Sequence, residues 1–358
     1  MDISQIDKNF AVTPINKPDI EWIDARDARF AMFGVYFDEA EDAYVRMPRD
    51  VAEATNDGVK ALFLHTSGGR IRFTTNSPYI AVKAIVNKPG VYNNMPPMGN
   101  TGFGVYSDGK FVGPIIPNYI TMAREEGDKA AVSGLATRFS NPTGEARNIE
   151  IYMPLYNGVH SVYIGLKQGS KVEPYYYTDK RRVMYYGSSI TQGGCASHPG
   201  NDYAAMLSRM VDCDYLNLGF SGSARGEAVM CDYLAKQKCD VFMLDYDHNA
   251  PTVEHLKNTH YALYETVRRE NPTLPIVMIS RPDFDNDSSS VPRRDVIFAS
   301  YETARASGDE NVYFIDGETL FEEDMRDACT VDGCHPNDLG FFRMAKVIYP
   351  VLKDVLKK

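Results

Sequence analysis

The chain changes its hydrophobic rhythm near the middle. Up to about residue 170, apolar and polar residues alternate with a period of two over short runs, such as "RIRFTT" (70–75) and "YIAVKAIV" (79–86). That is the pattern of strands with one buried face. "FGVYSDGKFVGPII" sets Asp108-Gly109 between two apolar runs, a hairpin signal, and "RNIEIYMPLYNGVHSVYIGL" repeats the arrangement with Asn157-Gly158 as the turn. Many short strands and few helical stretches predict an all-β sandwich of jelly-roll type.

Beyond residue 180 the rhythm is different. The apolar runs "RVMYYG", "DYLNLGF", "DVFMLDYD", "PIVMISR" and "VYFIDG" alternate with helical patterns, among them "DYAAMLSRMV", "EAVMCDYLAKQ" and "VEHLKNTHYALYETVRREN". "RRDVIFASYETARAS" and the terminal "LGFFRMAKVIYPVLKDVLKK" complete the helical set. Five apolar strands separated by helices predict a parallel sheet covered on both faces, an α/β/α unit. The polar, proline-bearing stretch "KQGSKVEPYYYTDKR" (167–181) divides the two, giving expected domains of 1–175 and 176–358. A chain of 358 residues suits two such cores.

Composition narrows the partners. A net charge of -10 disfavours nucleic acid and anionic membrane surfaces. The opening residues lack the basic start and apolar stretch of a leader, and no apolar run is long enough to span a bilayer, so the expectation is a cytoplasmic chain. The six cysteines (195, 213, 231, 239, 329 and 334) form no Cys-x-x-Cys pair and read as reduced thiols, mostly buried. His248, His255 and His260 lie near Asp245 and Asp247, but His255 and His260 are five residues apart, off the spacing that sets two ligands on one helix face. No metal and no cofactor is expected, and the oligomeric state is left open.

Ligands of parallel α/β sheets bind at the carboxyl ends of the strands. Four such ends here carry reactive or polar residues: Ser189 in "GSSITQGG", Gly222 in "NLGFSGSARGE", Asn249 in "DYDHNAP", and Asp332 with His335 in "TVDGCHPNDLG". Singly, each has a plain reading as a turn or helix-capping residue. Together, in this order, they resemble the SGNH (GDSL-type) serine hydrolases over residues 181–358. The resemblance implies Ser189 as nucleophile, His335 as base and Asp332 as the group that orients it. It also implies an oxyanion hole of the Ser189 and Gly222 N–H groups and the Asn249 amide. The chemistry is consistent: a serine hydroxyl needs a base, and the tetrahedral oxyanion needs fixed donors. Two positions depart from the family pattern. Ser188 stands where most members have aspartate, and Asp247-His248-Asn249-Ala250 stands for Gly-x-Asn-Asp. His198 and Arg225 are candidates to border the substrate, Arg225 with a surface salt bridge as the competing reading.

The first half resembles the β-sandwich that precedes SGNH domains in two-domain carbohydrate esterases, through "RIRFTTNSPYIAV", "TGFGVYSDG" and "IYMPLYNGV". Gly102-Phe103-Gly104-Val105-Tyr106 stands for that group's Gly-x-Asp-Leu-Tyr. The resemblance implies an acetyl esterase acting on acetylated oligosaccharides from hemicellulose, mannan before xylan. Trp22 and Tyr92 are the aromatic residues available as sugar platforms, although core or loop packing explains each equally well. All proposed reacting groups lie after residue 186, so the first half is expected to bind substrate rather than take part in chemistry. Two alternatives stay open: an acyl-ester or thioester hydrolase acting on small lipids, and a non-catalytic glycan-binding protein.

Overall fold

The computed structural model describes residues 14–90, 92–118, 127–285 and 287–357, together with Ile6 and Met122. Strands β1 (Ile20–Asp24), β2 (Ala31–Phe33), β3 (Tyr36–Asp38) and β4 (Ala43–Val45) lead into a helical hairpin, α1 (Arg49–Thr55) and α2 (Asp57–Leu62). Then come β5 (Arg70–Thr75), β6 (Ala81–Asn87), the short α3 (Pro97–Thr101), β7 (Phe103–Ser107) and β8 (Lys110–Ile115). β9 (Lys129–Leu135), β10 (Arg147–Tyr152), β11 (Val159–Lys167) and β12 (Val172–Pro174) complete the first half. They form a β-sandwich of two antiparallel sheets, one in the order β1-β11-β6-β9 and the other β12-β5-β10-β7-β8 with β2 beside β5.

Asp108 and Gly109, both at positive φ, make the β7–β8 hairpin that their sequence predicts. Asn157-Gly158 behaves differently. The strands on either side of it lie in opposite sheets, so this turn crosses the sandwich instead of closing a hairpin. Ile71 and Phe73 of β5 meet Val82, Ala84 and Val86 of β6 in the sandwich core.

The second half is built on a five-stranded parallel sheet of β13 (Asp179–Gly187), β14 (Cys213–Gly219), β15 (Val241–Asp245), β16 (Ile276–Ile279) and β17 (Val312–Ile315), in the order β14-β13-β15-β16-β17. Between and after these strands run α4 (Ser189–Gln192), α5 (Tyr203–Val211), α6 (Ala228–Ala235), α7 (Val253–Glu270), α8 (Ser290–Ala306) and α9 (Asp338–Val355). Alternate residues of β13 enter different cores. Val183 and Tyr185 pack on the α5 and α9 side, while Met184 and Tyr186 pack on the α6, α7 and α8 side. No helix among the described residues is long and apolar enough to cross a membrane.

The two halves share cores. Val45, Met47, Ala52, Val59 and Phe63 of the first half belong to the same buried cluster as Met184, Leu218 and Phe220 of the second. The period-two reading of "RIRFTT" implies a solvent face for β5, yet Arg70 and Arg72 on that face are buried. The second half covers them: Arg70 pairs with Asp214 and Arg72 with Asp212. Arg46 is also buried, donating to the carbonyls of Gly219 (2.7 Å) and Leu62 (2.9 Å).

Candidate active site

The turn after β13 explains the serine pair. Gly187 ends the strand where a Cβ would lie 2.0 Å from Thr191 Oγ1 and 2.3 Å from the Asp245 carbonyl, so only glycine fits. Ser188 then caps α4 by accepting from the Ile190 N–H (3.1 Å), which is what its hydroxyl does in place of the family's aspartate. Ser189 is the first residue of the helix, and N–H groups of a first turn have no partner within their own helix. The Phe220 N–H donates to the Gly187 carbonyl (2.9 Å) and ties the loop after β14 to this turn.

Ser189 Oγ lies 3.0 Å from His335 Nε2, and His335 Nδ1 lies 2.8 Å from Asp332 Oδ2. The other Asp332 oxygen accepts backbone N–H bonds from His335 (2.8 Å) and Cys334 (3.1 Å). Burial pulls the Asp332 pKa upward, but the hydrogen bonds from His335 and Asn94 prevail and hold it at about 2. Asp332 is therefore an anion across the working range, fit to hold an imidazolium. His335 is raised above the usual histidine value, first by the neighbouring Cys334 thiol, against burial and with Asp332 adding to the effect.

Gly222 adopts φ +66°, a left-handed conformation, and nothing lies within 4 Å of where its Cβ would be. Asn249 sits in a single 3-10 turn (Asp247–Asn249) directly after β15. Its Oδ1 accepts from the Ala224 N–H (3.4 Å). Gly222, Asn249 and Asp332 line one cavity of about 670 Å³, together with Arg281, Asp283 and Cys334. Its remaining lining contains no large aliphatic side chain. A slightly larger depression of about 760 Å³, lined by Arg268 and Asp309, contains none of the proposed site residues.

The secondary candidates separate. Arg225 is exposed beside Gly222, with its guanidinium donating to the Gly222 carbonyl (3.1 Å), and no ion pair of its side chain is seen among the described residues. Tyr92 is partly exposed and meets Tyr156 edge-on at 5.8 Å, and the Tyr156 hydroxyl donates to the Ser189 carbonyl (3.2 Å). His198 is not a substrate wall: it is buried and stacked on Phe111 at 3.9 Å, sealing the contact between the halves. Trp22 is not near the site either. It pairs with Gly165 on the outer face of the four-stranded sheet, under Lys83, whereas the six-stranded sheet is the one that meets the second half.

Several site residues were not singled out in the sequence. Gln192 Oε1 accepts from the Ser221 N–H (3.0 Å), its Nε2 donates to the Leu155 carbonyl (3.1 Å), and its own carbonyl accepts from Ser67 Oγ (2.6 Å). Asn94 of the first half donates to Asp332 Oδ2 at 2.8 Å. Cys334 lies 3.7 Å from His248 Nε2, which also bonds Asp283 at 3.0 Å. Burial alone would lower His248, yet Asp283 and Cys334 raise it to about 10; burial would raise Cys334, and the two histidines bring it down to about 7. His248, Asp283 and Cys334 bring ligand-type atoms within 4.8 Å of one another. Arg281 already engages both oxygens of Asp283, so this cluster reads as an ion-paired network. All six cysteines are free.

A parallel α/β sheet that brings a serine, histidine and aspartate into hydrogen-bonded series has the arrangement of a serine hydrolase. Residues 180–353 match the GDSL-like lipase/acylhydrolase family, and residues 20–172 match the N-terminal domain family of SGNH-hydrolase-type esterases. The chain belongs to these families over those residues and is a carboxylic ester hydrolase. Among solved structures it is similar to a protein from Bacteroides ovatus ATCC 8483 named as a GDSL-like lipase, at 29% identity and TM-score 0.81, covering 94% of this chain and 98% of that one. It is also similar to a salicylyl-acyltransferase from a tetracycline biosynthetic pathway (19%, TM-score 0.71, 95% and 98% covered). An acetyl xylan esterase from the rumen bacterium Butyrivibrio proteoclasticus shares the fold at 12% identity and TM-score 0.58, with 94% and 99% covered. No match was found among curated proteins.

Proposed function

We propose that this chain is a serine esterase that removes O-acetyl groups from oligosaccharides of hemicellulose origin, mannan before xylan. The reading is carried by one observation: the series Ser189–His335–Asp332 (3.0 and 2.8 Å) stands beside a cavity lined mainly by polar groups. That lining suits hydroxyl-rich substrates and offers little to a long acyl chain. The carbohydrate esterases among the fold's neighbours and the motifs of the first half support the sugar. A cytoplasmic setting, with the acetylated fragments imported first, belongs to the same proposal.

In this mechanism Ser189 Oγ attacks the acetyl carbonyl carbon as His335 Nε2 takes its proton, and Asp332 stabilises the imidazolium. The oxyanion accepts hydrogen bonds from the Ser189 and Gly222 N–H groups and the Asn249 amide. One such donor is worth roughly 2.7–4 kcal/mol of barrier. His335 then gives its proton to the departing sugar oxygen, leaving acetyl-Ser189. A water that His335 deprotonates attacks this ester; acetate leaves and Ser189 regains its proton. Acetate release from acetylated mannan, xylan and chitin oligosaccharides, with a long-chain nitrophenyl ester as control, tests the assignment. Preference for the long-chain ester would overturn it in favour of a lipid substrate.

A further inference from the structure

The acid of the series is held from the other half of the molecule. Asp332 Oδ2 accepts two hydrogen bonds of equal length, from His335 Nδ1 and from Asn94 Nδ2, both 2.8 Å. The donors to its other oxygen are the N–H groups of Cys334 and His335, residues of the same loop. That loop is closed on itself, by a bridge between Thr330 and Pro336 and by the Val331 N–H donating to the His335 carbonyl (2.9 Å). Asn94 is therefore the donor that refers the carboxylate to a separate structural frame.

The frame is firm. Met95, the next residue, is buried in a core shared by the two halves, with Ile190, Cys195 and Ala196 of the second. Gly99, a little further on, approaches so closely that a Cβ there would lie 2.1 Å from the Ala196 carbonyl oxygen. On the other side of Asn94, Tyr92 contacts Tyr156, whose hydroxyl reaches the Ser189 carbonyl. The stretch 92–96 thus touches the surroundings of the nucleophile and the acid at once.

We propose that Asn94 is a positioning residue of the catalytic site: its amide fixes the Asp332 carboxylate in the plane that aligns His335 with Ser189. The proposal rests on the triad reading above. A misaligned acid weakens the transition state more than substrate binding, because the imidazolium it stabilises forms only during reaction. It also differs from simple substrate binding by the first half, the role the sequence suggests.

The test is steady-state hydrolysis of nitrophenyl acetate by wild type, Asn94→Ala, Asn94→Asp and Ser189→Ala, each checked for an unchanged melting transition. Asn94→Ala should lower kcat about tenfold and leave KM within about twofold. Asn94→Asp keeps the shape but sets a second carboxylate beside His335. It should lower kcat further and move the acid limb of kcat/KM upward by about one pH unit, since a nearby anion favours the imidazolium. Wild-type kcat and an unmoved pH profile in both Asn94 variants, with Ser189→Ala inactive, would overturn the Asn94 proposal alone. An active Ser189→Ala would overturn the triad reading on which it rests.

Discussion

The two sheets of the sandwich are written in the same alternation, yet their outer faces have opposite fates. On the four-stranded sheet the face away from the sandwich core carries Trp22, Lys83 and Tyr163, with Lys83 over both rings and reaching solvent. On β5 of the six-stranded sheet the equivalent face carries Arg70 and Arg72, each at 4% exposure or less, sealed by Asp214 and Asp212 of the second half. A period of two tells which residues enter a sheet's own core. It does not tell what lies against the other side. Arginine suits such a hidden face because one guanidinium can satisfy several carbonyls and stack on tyrosines at once, as Arg70 does on Tyr215 at 3.9 Å.

The largest contrast should appear in stability. Asp214→Ala strips the partner from a fully buried guanidinium and should cost about 3–5 kcal/mol, read from chemical denaturation. On the outer sheet, Lys129→Ala removes an exposed pair with Asp42 (3.1 Å) and should cost about 1 kcal/mol or less. Similar losses for both would mean that the covered face is no more tightly held than the open one.

The next contrast concerns the two aromatic candidates. Tyr92→Ala should lower kcat/KM on acetylated oligosaccharide roughly tenfold, about 1.4 kcal/mol, with little change on nitrophenyl acetate. Trp22→Ala, on the outer sheet, should leave both substrates untouched. If Trp22→Ala instead impairs the oligosaccharide, the substrate path extends over a face that the geometry keeps away from Ser189.

The smallest effect is a shift in pH. His335 must be neutral to accept the serine proton, so kcat/KM should rise with pH through its raised pKa, above the ordinary histidine range. The Cys334 thiol is the first cause of that rise. Cys334→Ala should therefore move the acid limb to lower pH, making the enzyme relatively more active in mild acid. An unmoved limb would show that the thiol does not bear on His335.

Much of the second half was legible because its signals are local. The five strands, the helices between them and the glycine- and serine-rich turn at residues 187–194 each follow from a dozen neighbouring residues. Ser189, Gly222 and Asn249 could be placed because each falls within a few residues of a strand's end, and in a parallel sheet those ends converge. Asp332 and His335 lie well past β17, in the loop just before α9, and were legible from their motif instead. What stayed hidden depends on pairs distant in sequence. Asn94 and Asp332 are 238 positions apart, and nothing in "GVYNNMPPMGN" marks one asparagine as a donor to a carboxylate. The helical hairpin at residues 49–62 carries Ala52 and Val59 into the second half's core, so its apolar face has its partner far along the chain. His198 misled for the same reason: a histidine near the nucleophile loop suggests substrate contact, whereas Phe111 of the first half stacks on it.

Ser189 is proposed as the nucleophile of an esterase whose acid and base come from Asp332 and His335. Mass spectrometry of peptides after reaction with a serine-directed phosphonate tests it most directly. One adduct is expected, on Ser189, formed at a rate that falls sharply in His335→Ala. Ser188 already uses its hydroxyl to cap α4, and an adduct there, or undiminished labelling of Ser189 in His335→Ala, would rule out Ser189 as a nucleophile activated by His335.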